Sequence, residues 1–152
     1  MDRATYIRTK VFDKLNGLTF GGIEIPIFDE YVNPSVAIPS VSGSNETYIV
    51  IQDQYEGYNE TQTVCNPRFD LNLTIRVVTT WGNVGSKKLC EDIGNVAINL
   101  LRDDRGASLI DGIKEVKLIN AQSIPEYADS SISFSKILTL NFIKNEIGRA
   151  HV

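Results

Sequence analysis

Between residues 71 and 77 the chain alternates strictly: Leu71, Leu73, Ile75 and Val77 are apolar, and Asn72, Thr74 and Arg76 between them are polar. Successive side chains of a strand point to opposite faces, so this segment predicts a strand with one face in a core and the other wet. No other feature constrains the fold as much, because a one-faced strand belongs to an antiparallel sheet covered on one side, not to a parallel sheet buried on both. Composition agrees: Ile and Val total 30 against 11 Leu, and β-branched side chains suit a pleated sheet better than a helix bundle.

The other elements fall around this strand. Ala4, Ile7, Val11, Leu15 and Leu18 recur at three- and four-residue spacing, predicting a helix over 3–16 that Asp2 caps and Gly17 stops. After Gly21-Gly22 the alternation Ile23, Ile25, Ile27 marks a short strand over 23–28, and Pro26 inside it argues for a sheet edge. Tyr48 to Gln52 reads as a strand buried on both faces, joined to the 70–80 strand by a long polar hairpin over 53–66. Trp81 to Ser86 leads into a second helix with Leu89, Ile93, Val96, Ala97 and Leu100 on one stripe, ending near Arg102. Val116, Leu118 and Ile119 suggest a fourth strand; Ile132, Phe134, Leu138, Leu140 and Phe142 suggest a fifth, with a bulge or rim position at Lys136. The expectation is an α+β fold in one domain over residues 1–152: a mainly antiparallel sheet of about five strands with two helices packed on one face. The order is α-β-β-β-α-β-β, with long loops or arms at 29–46 and 53–69.

Charge and cysteine usage exclude several classes of function. Fifteen Lys and Arg against 19 Asp and Glu give a net charge of −4, with no clustering of cations, so sequence-independent binding along a phosphate backbone is disfavoured. Cys65 and Cys90 are isolated and read as small hydrophobes in a reducing compartment, not as a zinc site or a disulfide frame. Apolar runs fall far short of the roughly 20 residues that span a bilayer, and Met1 to Thr5 leads into no signal-peptide core, so a non-secreted protein without membrane contact is expected.

Chemistry has few places to reside. The glycine loop Gly82 to Ser86, followed by Lys87 and Lys88 at a helix start, invites comparison with a phosphate cradle and keeps a small ligand- or nucleotide-binding domain as an alternative. The Walker order fails, however: two residues separate the glycines and Ser precedes Lys. Helix capping by Asn83 or Ser86 accounts for the same residues. The one histidine, His151, is next to last, and Asp103, Asp104 and Asp111 lack the ligand spacing of a calcium loop. A catalytic centre, a metal and a cofactor are therefore not expected. What stands out is aromatic and aliphatic content in the two long loops. Tyr31, Val36, Ile38, Tyr55 and Tyr58 are candidates for a contact with a neighbouring subunit, since aromatic residues are enriched at interfaces.

The run Ile49-Val50-Ile51-Gln52-Asp53-Gln54, the strand Phe69 to Thr79 and the following Leu89-Cys90-Glu91-Asp92-Ile93-Gly94-Asn95-Val96, in the element order above, resemble the tail-terminator or tail-completion family of tailed bacteriophages. The resemblance covers nearly the whole chain. It implies a non-enzymatic virion protein, assembled in the host cytoplasm, that forms a homo-oligomeric ring, commonly a hexamer with a dodecamer as the alternative. Such a ring ends the tail tube, docks to the head connector and lets genomic DNA pass without specific binding. Another neck or tail-tube protein of the same virion is the neighbouring reading.

Overall fold

The computed structural model describes residues 3–30, 32, 34–58, 68–82 and 84–145. Helix α1 (Arg3–Leu15) turns Ala4, Ile7, Val11 and Leu15 into the core and stops at Gly17, whose φ of +88° a residue with a Cβ reaches only under strain. The expected single strand over 23–28 is broken. Gly21 and Gly22, both at positive φ, close a miniature hairpin between β1 (Thr19–Phe20) and β2 (Ile23–Glu24). Pro26 then separates this hairpin from β3 (Ile27–Asp29), because it cannot donate to a ladder.

The main sheet runs β3-β4-β5-β7-β6, with β4 Glu46–Tyr58, β5 Arg68–Trp81, β6 Glu115–Ala128 and β7 Ser131–Asn145. All pairings are antiparallel except β3 with β4, which is parallel, and β3 sits at the edge as Pro26 required. Helix α2 (Lys88–Leu101) is the crossover that lets β6 run parallel to β5 while β7 inserts between them. The alternating segment behaves as its pattern demands: Leu71, Leu73, Ile75 and Val77 are fully buried under the helices. Ile49 and Ile51 of β4, and Leu138, Leu140 and Phe142 of β7, extend the same layer and meet Ile93, Ala97 and Leu101 of α2 in one hydrophobic cluster.

Three expectations need correction. Residues 53–69 are not a loop throughout: β4 continues to Tyr58 and pairs with β5 down to Tyr58↔Phe69, so residues 53–58, 68 and 69 of the expected arm are strand, and 59–67 lie outside the described residues. The fourth strand does not end near Ile119 but runs to Ala128 and forms a long hairpin with β7. Lys136 is no bulge; it pairs in register with Val77 and Ser123 on the helix side, its stem packed under Gly94, where an added Cβ would lie 3.2 Å from Lys136 Cγ. The register shifts instead fall between Ile51 and Gln54 and between Leu118 and Asn120.

The bulge in β4 is held from the helix layer. Arg8 of α1, with only 11% of its side chain exposed, donates from Nη2 to the Ile51 carbonyl and from Nη1 to the Gln52 carbonyl, both at 2.9 Å. Its Nε reaches Asp29 Oδ1 at 2.6 Å, at the end of the edge strand. One guanidinium thus ties α1, β3 and the bulged part of β4 together.

Candidate assembly interface

Of the five residues singled out for a subunit contact, Val36 and Ile38 lie apart from Tyr55. Tyr31 lies outside the described residues. Val36 is exposed and Ile38 half-buried in the segment between β3 and β4, whose later part is anchored: Ser44 Oγ accepts the Val41 amide at 3.1 Å and bonds Thr47 Oγ1 at 2.7 Å. Tyr55 stands at the other end of β4, on the sheet face away from the helices, with 72% exposure. Tyr58 ends β4 opposite Phe69.

The face away from the helices has two halves. Around Tyr48, Val50 and Val78 it is apolar and partly covered; Val50, Val78 and Phe28 are buried, and the Phe28 and Tyr48 rings meet edge-on at 6.1 Å. Burial raises the Tyr48 phenol above its ordinary range, with nearby Arg76 opposing the shift. Arg76 crosses the sheet to Ser135 Oγ and to Glu126 Oε1, both at 3.0 Å. The other half is polar: Asn141 Nδ2 donates to Asn72 Oδ1 at 2.7 Å, beside the Thr74↔Thr139 pair. Interface candidates that the sequence reading missed are Ile119 and Tyr127 on β6 and Val84 before α2, exposed by 57%, 74% and 83%.

The glycine loop has a structural explanation. A Cβ on Gly85 would lie 2.5 Å from Trp81 Cγ, so the missing side chain makes room for the indole, which is itself buried and donates from Nε1 to Thr79 Oγ1 at 3.0 Å. Ser86 Oγ accepts the Lys88 amide at 3.1 Å, and Lys88 pairs with Asp92 at 2.7 Å; Asn83 lies outside the described residues. Gly85→Val is expected to destabilise the fold by about 1–3 kcal/mol, because the indole must move or the loop must shift. A urea titration checks it, and calorimetric titration of the wild type with nucleoside triphosphate and magnesium should give no heat above dilution.

Cys90 is fully buried on α2, donates to the Lys87 carbonyl, and is held protonated: burial first, then Glu91, pushes its thiol from 9.0 to about 11. A folded-state pKa above the unfolded one contributes stability that is fully present below about pH 9 and is lost as pH rises towards about 11. Cys90→Ala should flatten that alkaline loss while lowering stability at neutral pH, as urea midpoints across this window would record. Cys65 lies outside the described residues. In the acidic loop Asp103 Oδ1 accepts the Arg105 and Ala107 amides at 2.8 and 2.9 Å, and Arg102 donates to the Val116 carbonyl.

Among the described residues, no three His, Cys, Asp or Glu side chains are placed to hold a metal ion, and no helix is long and apolar enough to cross a membrane. No family model and no curated protein matches the chain. Among solved structures it is similar to a chain in the virion of a native gene transfer agent particle, at 9% sequence identity and a TM-score of 0.58, the match covering 94% of this chain and 99% of that one. At that identity the likeness is one of fold: the α+β arrangement of two helices on one face of a mixed sheet is shared with a virion chain from end to end.

Proposed function

We propose that this chain is a structural virion protein of a tailed bacteriophage, forming a homo-oligomeric ring at the head–tail junction. The ring terminates the tail tube, joins it to the head connector and leaves a central channel through which genomic DNA passes without specific binding. The observation that carries the reading is the fold held in common, over nearly the full length of both chains, with a chain of a gene transfer agent virion. The finer role follows from the resemblance in element order to the tail-terminator family. In this reading the protein works by shape, without catalysis, and resides in the virion after assembly in the host cytoplasm. Tyr31, Val36, Ile38, Tyr55 and Tyr58 remain the residues proposed to touch a neighbouring copy.

Negative-stain microscopy of the purified protein, alone and mixed with its tail-tube partner, is expected to show rings with a central hole. Tails built without the protein should grow to uncontrolled length. A uniform population of monomers in both preparations would overturn the reading, and tails of normal length would move the protein to another neck or tail-tube position.

A further inference from the structure

The two edges of the main sheet are open at different heights. On the β4 side, β3 covers only Ile49 to Ile51, and Arg8 caps the carbonyls of Ile51 and Gln52, so the backbone of residues 54–58 has no outer partner among the described residues. On the β6 side, the start is occupied by the Ala107↔Glu115 bridge and the Val116 amide bonded to the Gly106 carbonyl. Beyond it the edge has no outer strand among the described residues, and the bulge at Ile119 and Pro125 bracket five residues, 120–124. Pro125 lacks an N–H and so ends any ladder added there. Two open stretches of equal length therefore face outward from opposite sides of one sheet.

Their directions match as well. Three antiparallel pairings separate β4 from β6, so the two strands are themselves antiparallel. We infer that residues 55–58 of one copy pair edge to edge with residues 121–124 of the next, a second copy of this chain being the partner. The inference rests on the ring reading above and names its contact. Unlike edges joined head to tail give a heterologous interface, the kind that closes a ring and not a two-fold dimer. Tyr55 lies level with Asn141 of the unbulged β7 and Ile124 with Ser135, so pairing Tyr55 with Ile124 slides each copy along its neighbour by six residues, about 20 Å at ~3.3 Å per residue. A stagger of this kind is what tilted strands in a closed ring require.

Side-chain parity fixes the register to within two residues. Tyr55 points to the face away from the helices, as do Gln122 and Ile124, and strand partners must share a face. Placing Ile124 opposite Tyr55 brings a half-buried β-branched side chain against an exposed aromatic one, a favourable cross-strand pair.

The test uses the full chain carrying Cys65→Ser, with Cys90 left buried. Mild oxidation of assembled Tyr55→Cys/Ile124→Cys protein is expected to give a ladder of covalent multimers on a non-reducing gel, while each single variant gives none. A ladder from Tyr55→Cys/Gln122→Cys instead supports the same edges with the register moved by two. Rings that form without crosslinking in either pair overturn the edge pairing and leave the ring reading intact; protein that stays monomeric, alone and with the tail-tube partner, overturns both. Tyr55→Lys with Ile124→Lys gives an independent measure: circular dichroism should be unchanged, and light-scattering mass should fall from ring to monomer. An unchanged ring mass would also overturn the pairing.

Discussion

Phe142→Ala is expected to lower the stability of the protein by about 3–5 kcal/mol, the usual range for truncating a fully buried phenylalanine. Phe142 has no exposed surface and sits in β7 opposite Leu71 of β5 on one side and Val116 of β6 on the other, so it links three strands of the layer that the helices cover. None of these neighbours can swing into the vacated volume without leaving its own place in a ladder. Small domains carry only about 5–15 kcal/mol in total, so such a loss leaves the variant marginal. The urea midpoint should drop sharply with the slope unchanged, and the melting temperature should fall by roughly 10 °C. Phe134, half-buried towards the far end of the same strand, should lose clearly less on the same change. Equal losses at the two positions would contradict the packing described.

Arg8→Met should destabilise by about 2–4 kcal/mol, although the replacement keeps most of the aliphatic stem. The guanidinium serves two carbonyls at the β4 bulge: Ile51 keeps the Glu30 amide at 2.8 Å, but Gln52 loses the donor that Arg8 supplies. Asp29 is 53% exposed and can turn to water, so the damage is concentrated at Gln52 and at the anchoring of β3. Arg8→Lys should recover only part of the loss, because one ammonium cannot span the fork between two carbonyls and a carboxylate. Hydrogen exchange should quicken at the Glu30 and Ile49 amides, which hold β3 to β4, more than at amides between β5 and β7. Wild-type stability in Arg8→Met would mean that the bulge holds itself.

The parts of the fold legible in sequence are those where a period persists. Leu71 to Val77 and the stripe Ala4, Ile7, Val11, Leu15 repeat without interruption, and both were placed on the correct face of the correct element. Two stretches escaped for one common reason. At Ile119 in β6 and after Ile51 in β4 an extra residue shifts the register, so the inward parity changes halfway along the strand and the polar residues beyond no longer alternate with the apolar ones before. A pattern of period two cannot be followed across such a point; only the Asp129-Ser130 turn before β7 hinted that a hairpin partner preceded it. Arg8 was unreadable for a different reason, since its partners lie 21 to 46 residues away along the chain. The candidate contact residues were chosen from loop composition, which found exposed Tyr55 and Val36 but passed over Tyr127, a strand residue that the helices do not reach.

The placement of β7 between β5 and β6 has a consequence for synthesis. The strand made last, residues 131–145, is the one that both of its neighbours need. Until it leaves the ribosome, β5 has β4 on one side and a bare hydrogen-bonding edge on the other, with Leu71, Leu73, Ile75 and Val77 under an incomplete roof. At roughly 5–20 residues per second, that interval lasts seconds after β5 has been made. During it the bare edge of β5 can pair only with a wrong strand, its own chain's or another's, and it is the arrival of β7 that covers this edge and leaves β6 with one open side among the described residues.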